Sequence, residues 1–445
     1  MGAPSQSSIR RRIEVSGVVQ GVGFRPYIYR LATDRSLAGK ILNTSAGVTI
    51  EVEGAALAVH DFITRLPSEA PPLARITSVT VQDVPFRGDL EFQIVASRGG
   101  EQSRVLISPD VALCDDCLSE LFDPADRRYR YPFINCTNCG PRYTIVRNVP
   151  YDRPLTSMAA FPMCAACRHE YEDPRNRRFH AQPNACWECG PQVQLWDAEG
   201  QPFQLGDAIV AAAAWLQEGG IVAIKGLGGF HLAVDATNAA AVERLRARKR
   251  RVEKPFAVMV PSVAGAERFC ELDQLSLEAL TSVQRPIVLL PRRGKENEIA
   301  ECTAPRNRHL GLFLPYTPIH HLLFDAGKFS ALVMTSANLS EEPIVIDNSE
   351  AVRRLHGIAD FFLVHNRDIL IRKDDSVVRA SSGRLRQMRR ARGYVPMPVF
   401  LHKEVPTILA VGGELKNTIC FTRDKQAFLS QHIGDLENLE SHNFF

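Results

Sequence analysis

Cys114-Asp115-Asp116-Cys117 is followed, after 18 residues, by Cys136-Thr137-Asn138-Cys139. Fifty positions on, the pattern returns as Cys164-Ala165-Ala166-Cys167 and, again after 18 residues, Cys186-Trp187-Glu188-Cys189. Other positions repeat with it: Glu120/Glu170, Asp123-Pro124/Asp173-Pro174, Arg127-Arg128/Arg177-Arg178 and Gly140-Pro141/Gly190-Pro191. A Cys-x-x-Cys turn aims two thiolates at one point. Two such turns supply the tetrahedral sulfur shell that Zn2+ prefers, at about 2.3 Å per Zn–S bond. The simple pairing puts Cys114, Cys117, Cys136 and Cys139 on one ion and Cys164, Cys167, Cys186 and Cys189 on another. An interleaved pairing, with the two hairpins exchanging partners, is the alternative. A closed four-sulfur shell leaves no position for substrate, so these are expected to be structural sites in a zinc-ribbon-like segment. Redox Cys-x-x-Cys chemistry is the other known use of the spacing.

Around this segment the composition is that of an ordinary globular protein. A length of 445 residues suggests about three domains, and 45% apolar and 23% charged residues fit a packed α/β chain. The formal charge is +3, but eight zinc-bound thiolates set against two Zn2+ would bring the loaded chain to about −1. The pI of 8.3 therefore gives no argument for nucleic acid. No apolar run approaches the roughly 18 residues of a membrane span. The N-terminus lacks an apolar signal core, and Gln6 spoils a myristoylation match. Cys270, Cys302 and Cys420 lie far apart outside the repeat and the total of 11 is odd, which predicts a reduced, cytoplasmic chain.

Upstream, residues 9–97 read in β-α-β-β-α-β order, a ferredoxin-like sandwich. Strand residues Ile13, Val15 and Val19 precede a helix from Phe24 to about Asp34. Ile41 and the 48–52 run give two strands, 57–66 a helix, and 79–84 and 92–95 the closing strands. Between the first strand and helix lies Gly17-Val18-Val19-Gln20-Gly21-Val22-Gly23-Phe24-Arg25. Its glycines let successive backbone N–H groups face an anion, the helix start adds its dipole, and Arg25 can grip a phosphate bidentately. The stretch resembles the phosphate loop of acylphosphatases. The resemblance implies that Gln20, Gly21, Val22, Gly23, Phe24 and Arg25 hold the phosphoryl group. It also implies that Asn43, in Asn43-Thr44-Ser45-Ala46-Gly47-Val48, orients the attacking water. Ala46 stands where small acylphosphatases usually carry Asp, and is read as a turn substitution.

Downstream, residues 200–392 alternate helices (207–217, 238–250, 318–324) with apolar strands (221–224, 256–260, 287–290, 331–335, 361–364). This pattern predicts an α/β domain around a mixed twisted sheet. Three constellations carry its chemistry. Lys225-Gly226-Leu227-Gly228-Gly229-Phe230-His231 follows a strand; on its own such a glycine turn is a weak signal. Arg248-Lys249-Arg250-Arg251-Val252-Glu253-Lys254 is a basic helix end, which alone reads as a solvated face or a nucleic-acid patch. Thr335-Ser336-Ala337-Asn338-Leu339-Ser340 places hydroxyl and amide groups at a strand's carboxyl end, where open sheets take ligands. Together these resemble the YrdC-like fold. The resemblance implies that Lys249, Arg251 and Lys254 meet the phosphates of ATP, with Mg2+ as helper, and that Ser336 and Asn338 bind the adenylate. Asp375, Ser376 and Arg392 match later nucleotide-side elements, and Lys225 and His231 are candidates for contacting the activated acid. The turn at 225–232 departs from the threonine- and tyrosine-bearing turn usual in that family. It matches the branch that activates carbamate.

The order of modules is similar to that of the hydrogenase-maturation carbamoyltransferases over residues 9–445. The corresponding domains are 9–97 (acylphosphatase-like), 104–195 (double four-cysteine segment), 200–392 (YrdC-like) and 403–445. The last, with Val411-Gly412-Gly413-Glu414-Leu415-Lys416-Asn417-Thr418, resembles the opening phosphate loop of an actin-like ATPase domain. The chain is accordingly expected to be truncated relative to the family, and 403–445 to be poorly stable alone. The resemblance implies hydrolysis of carbamoyl phosphate to carbamate and its activation by ATP to carbamoyl-adenylate. It further implies transfer to the C-terminal cysteine of a partner protein as precursor of a cyanide ligand, a last step expected to be lost or crippled here. Two other readings stay open: a tRNA-modifying, threonylcarbamoyl-adenylate-forming enzyme, and a zinc-stabilised scaffold without turnover.

Overall fold

The structure is a computed structural model that describes residues 8–44, 46–96, 106–203, 206–294, 298–338 and 342–445. Ser45, Leu339 and Ser340 of the stretches quoted above, and the expected boundaries at 97 and 104, lie outside the described residues. The chain packs as two compact units. Unit 1 comprises residues 1–108, 135–142 and 146–189; unit 2 comprises residues 109–134, 143–145 and 190–445. The expected four-cysteine segment thus contributes residues to each.

In unit 1, β1 (Ser8–Val18), α1 (Phe24–Thr33), β2 (Ala38–Thr44), β3 (Gly47–Ala55), α2 (Ala56–Ser68), β4 (Arg75–Val84) and β5 (Phe92–Ile94) form a sheet in the order β4-β1-β3-β2-β5. The first four strands are antiparallel neighbours, and β5 adds a parallel edge beside β2. Alternation decides the facing. Ile13 and Val15 of β1 are buried while Arg12 and Glu14 are not. Phe24, Ile28 and Leu31 of α1 and Val59, Phe62 and Leu66 of α2 bury helical faces. The ferredoxin-like expectation is met, with the first helix ending one residue early.

The two cysteine repeats are built alike. Cys114 caps α3 (Asp115–Phe122) and Cys164 caps α4 (Ala165–Glu172), so the second cysteine of each pair falls within the first helical turn. There the helix dipole favours a thiolate. Each helix ends at its repeated Asp, whose Oδ1 accepts a backbone N–H two residues on, at 2.9 Å for Asp123 and for Asp173. The chain then turns through a left-handed residue, Arg130 or His180.

Unit 2 continues with β6 (Val193–Trp196), α5 (Ala208–Gln217), β7 (Val222–Lys225), β8 (Phe230–Asp235), α6 (Ala239–Arg248), β9 (Ala257–Met259), α7 (Val263–Phe269), α8 (Gln274–Thr281) and β10 (Ile287–Pro291). It goes on through β11 (His309–Phe313), α9 (Pro318–Gly327), β12 (Leu332–Ser336), α10 (Asn348–Arg354), β13 (Phe361–His365), β14 (Val377–Ser381) and β15 (Arg384–Arg389). Their strands form one mixed sheet, β15-β14-β10-β11-β9-β12-β8-β7-β13-β6. Its core strands read as near-continuous apolar runs because both faces are covered. The sequence reading missed β8, which it took for part of a glycine turn. It also missed α7 and α8, whose caps are local signals: Ser262 and Asp273 accept the Gly265 and Ser276 amides. The final strands β16 (Val399–Val405), β17 (Leu409–Ala410) and β18 (Cys420–Leu429) pair in the order β16-β18-β17, followed by α11 (Leu439–Phe444). Ile408, Leu409, Val411 and Leu415 remain exposed there, as a marginal small sheet would leave them. Among the described residues no helix is long and apolar enough to cross a membrane.

Candidate active sites and metal centres

In each cysteine motif the four sulfur atoms lie within 4.8 Å of one another, so the pairing is sequential and not interleaved. Cys136–Cys139, Cys164–Cys186 and Cys186–Cys189 are separated by 3.9, 3.8 and 3.9 Å. A tetrahedron of sulfurs around Zn2+ has edges of about 3.8 Å, so the donor set fits that ion. Burial works to raise the Cys186 thiol, but the Glu188 and Cys189 amides and the Cys167 and Cys164 sulfurs outweigh it and lower it toward the thiolate.

The phosphate-type loop of unit 1 closes a small cavity. Gly21 and Gly23 take φ of 71° and 74°, the left-handed region that favours glycine. This lets the loop turn into α1, whose first N–H groups have no intrahelical acceptor. Gln20 holds the loop in place. Its Nε2 donates to the Thr44 and Gly47 carbonyls at 2.9 and 2.8 Å, and its Oε1 accepts the Tyr151 N–H at 3.2 Å. Gln20, Gly21, Gly23, Phe24 and Arg25 line the cavity; Val22 is buried beside them and does not. Arg25 is 8% exposed, with Nη2 3.1 Å from Asp152 Oδ1. Asn43, on β2 just before the turn that Gln20 clamps, is 1% exposed, and neither atom of its amide has a partner among the described residues. A buried unpaired amide costs about 1–3 kcal/mol unless a ligand or water meets it.

Sequence reasoning missed the opposite wall. Thr137, Arg142, Tyr151, His180 and Gln182 come from the cysteine segment. Arg142 Nε donates to the Gly21 carbonyl at 2.6 Å, and its Nη2 to the Thr137 carbonyl at 2.9 Å. Burial, with the Arg25 charge, lowers the His180 imidazolium to about 3, so the ring stays uncharged. A signal was present. His180 and Gln182 sit where the repeat breaks from Arg130 and Pro132, and a broken repeat marks a position with a second task.

Unit 2 holds a cavity of about 680 Å3, lined by His231, Lys249, Arg251, Lys254, Ser336, Asn338 and Asp375. Register explains the meeting of distant motifs: β12 pairs antiparallel with β8, placing Ser336 opposite His231. Lys249 follows α6. Its Nζ donates to the Ser336 carbonyl at 2.8 Å, to Asn338 Oδ1 at 2.7 Å and to the Asn338 carbonyl. Arg251 lies 4.9 Å over the Phe256 ring and donates to the Pro255 carbonyl at 2.6 Å. Arg389, Arg390, Lys416 and His432 also line the cavity and were not anticipated.

Three expected residues stand outside the lining. Lys225 is buried, donating to Asn348 Oδ1 at 2.7 Å and the His365 carbonyl at 3.1 Å; burial lowers it to about 8. Ser376 ties the Arg392 carbonyl at 2.9 Å, and Arg392 braces Asp375 from behind, Nε to Oδ1 2.6 Å.

Burial, with the Arg251 and Lys254 charges, lowers Lys249 to about 7. Its charged form is therefore present below pH 7 and lost as pH rises past it. A polyphosphate beside it favours that charged form. Affinity for inorganic triphosphate, measured by calorimetry, is expected to weaken by up to about tenfold per pH unit above 7, with proton uptake on binding. Lys249→Met should flatten that dependence.

Comparison with known proteins places these features. Residues 11–94 match the Acylphosphatase family, 113–146 and 163–196 the HypF finger, 214–391 the family described as Telomere recombination (Sua5, YciO, YrdC), and 403–445 the HypF Kae1-like domain. The chain is 52% identical, over 97% of its length, to Carbamoyltransferase HypF2 of Cupriavidus necator, and 50% identical over 99% to Carbamoyltransferase HypF of Rhizobium leguminosarum bv. viciae. It spans 56% of the length of each of these relatives. A crystal structure of full-length HypF in the phosphate- and nucleotide-bound form superposes with a TM-score of 0.95 at 48% identity, covering 98% of this chain and 57% of that one. The T. kodakarensis HypF structure gives 0.91 at 44%, covering 98% and 56%. An acylphosphatase of Caldivirga maquilingensis is 40% identical over 88 residues, 19% of this chain and 90% of its own.

Proposed function

The chain belongs to the HypF family of carbamoyltransferases, and from that premise we propose that it hydrolyses carbamoyl phosphate in unit 1 and adenylates the resulting carbamate in unit 2. The observation that carries the reading is that one chain holds both chemistries. A phosphate-type loop and Arg25 line one cavity, Asn43 lies buried outside that lining with its amide unpartnered among the described residues, and a cavity wide enough for a nucleotide is lined by Lys249, Arg251, Ser336 and Asn338.

In the first step the loop amides and Arg25 hold the phosphoryl group and Asn43 orients water. Water's oxygen bonds to phosphorus, and the bond from phosphorus to the acyl oxygen breaks, leaving carbamate and phosphate. In the second, a carbamate oxygen bonds to the α-phosphorus of ATP, and pyrophosphate leaves with the bridging oxygen's electron pair. Lys249, Arg251 and Lys254 stabilise the negative charge on the phosphates. Ser336 and Asn338 hold Lys249 and contact the adenylate. Mg2+ arriving with ATP would neutralise charge on the leaving pyrophosphate, and Asp374 lines the cavity as a carboxylate donor. The acceptor proposed for the carbamoyl group is the C-terminal cysteine of a partner protein, as precursor of the cyanide ligand of NiFe hydrogenase. Free thiols at Cys270, Cys302 and Cys420 support a reducing compartment such as the cytoplasm.

The test is pyrophosphate release from ATP with carbamoyl phosphate, with threonine plus bicarbonate, and with neither. Release that needs carbamoyl phosphate is the expected result. Release that needs threonine would move the chain to the tRNA-modifying reading, and none in any mixture would leave the scaffold.

A further inference from the structure

One group in the cavity of unit 2 has hydrogen-bonding capacity that no described residue uses. His231 is the second residue of β8 and is 4% exposed. Its Nε2 lies 2.9 Å from Asp375 Oδ2. Asp375 is braced by Arg392, which also donates to the Gln284 and Arg285 carbonyls at 2.9 and 2.8 Å and lies 3.4 Å over the Tyr316 ring. Burial works against charge on Asp375, but the Arg392 charge and the hydrogen bond from His231 outweigh it and hold the carboxyl well below the usual range. An ionised carboxylate only accepts hydrogen bonds, so the Nε2 facing it carries a proton. The ring's other nitrogen, Nδ1, has no partner among the described residues, and in the Nε2–H tautomer it is a lone-pair acceptor.

The neighbouring ring has the complementary deficit. His320 lies 6.3 Å from His231, centroid to centroid, at 67°. Its Nδ1 accepts the Tyr316 N–H at 3.5 Å, which leaves the proton on Nε2, a donor also without a partner among the described residues. Burial keeps this ring uncharged. Of the two rings, it is His231 that lines the cavity.

Resting on the reading that this cavity adenylates carbamate, we propose that His231 Nδ1 accepts a hydrogen bond from the carbamate N–H and so selects an amino-bearing carboxylate over acids of the same shape that lack one. Asp375 and Arg392 are positioning residues that set the tautomer. His231 neither gains nor loses a proton in the step, because the bond made is oxygen to α-phosphorus and the bond broken is α-phosphorus to the bridging oxygen. Acetate is the discriminating analogue, with methyl where carbamate has an amino group. Leaving a buried acceptor unpaired costs about 1–3 kcal/mol, which converts to roughly 5–150-fold.

The experiment measures pyrophosphate release by the full chain and by His231→Phe and His231→Gln, with carbamoyl phosphate or with acetate. In the wild type release should follow carbamoyl phosphate and acetate should be poorly used. His231→Phe should lower the carbamate rate by roughly 10–100-fold with KM for ATP unchanged, and bring the carbamate-to-acetate ratio towards one. His231→Gln, whose Oε1 can accept, should recover part of the ratio. An unchanged ratio in His231→Phe overturns the proposal, as does a loss of ATP affinity that tracks the loss of rate in both variants. If the variants fail to fold, 15N NMR of the wild-type histidine rings decides. The unprotonated Nδ1 signal should move on adding carbamoyl phosphate and a non-hydrolysable ATP analogue but not on adding acetate, and no movement counts against the proposal. A wild-type chain with no carbamoyl-phosphate-dependent release would remove the function beneath the inference, an outcome distinct from an unchanged ratio.

Discussion

Arg25→Ala is expected to lower carbamoyl phosphate hydrolysis by about 10^3-fold, measured as phosphate release. The charge on the transferred phosphoryl oxygens needs a donor that is already in place and poorly solvated. Arg25 is both: it sits in the first turn of α1, nearly buried, with its guanidinium held by Asp152 at 3.1 Å. Arg25→Lys should recover little, since a single ammonium cannot reproduce a bidentate fork. Pyrophosphate release should survive when carbamate is supplied directly from ammonium carbamate, because the cavity of unit 2 draws no residue from this loop. Phosphate release within twofold of the wild type would remove Arg25 from the site.

Stripping the metal is expected to abolish the same hydrolysis, although the phosphate loop contains no metal ligand. The link is covalent and short. Asn184 Nδ2 donates to the Cys167 carbonyl at 2.9 Å, just before Cys186. Arg153 donates to the Gln182 and Asn184 carbonyls at 2.6 and 2.9 Å, and its neighbour Asp152 holds Arg25. Without the ion, four converging thiolates repel one another, and that segment loses the organisation that fixes Asp152 against Arg25 and holds His180 and Gln182 at the cavity. Structural Zn2+ contributes about 10–16 kcal/mol of binding free energy in small zinc domains, which is folding free energy. Elemental analysis should find two equivalents per chain. Chelation should remove phosphate release together with protease resistance of residues 164–189. Chelated protein that holds far fewer than two equivalents, yet keeps its fold and its hydrolysis, would refute both the zinc assignment and this linkage.

Legibility in the sequence followed the range of the interactions. The cysteine ligands, the loop at 17–25 and the strand–helix order of the N-terminal module were readable because turns, caps and alternation are properties of a few consecutive residues. The short helices α7 and α8 were missed although their Ser262 and Asp273 caps are local, since two turns of helix carry little periodicity. Strand β8 was hidden because four glycine-loop residues run straight into it and masked its alternation. At the nucleotide-type cavity, His231, Lys249, Arg251, Ser336 and Asn338 were identified from motif likeness. Arg389, Arg390, Lys416 and His432 were not, since nothing local marks a basic residue on a hairpin or a tail as cavity lining.

By itself the sequence determined the ligand set for two metal ions, the phosphate-type loop and the class of each module, because spacing and residue type are enough when the geometry is made within one turn. Only the tertiary structure decided which cysteines share an ion, and that the cysteine segment walls the phosphate loop. It alone placed Lys225, Ser376 and Arg392 outside the cavity lining and left His231 Nδ1 and the Asn43 amide without partners among the described residues. Those facts depend on strand register and on contacts across more than a hundred residues. Such contacts are set by how buried faces pack against each other, and a linear reading of propensity does not contain them.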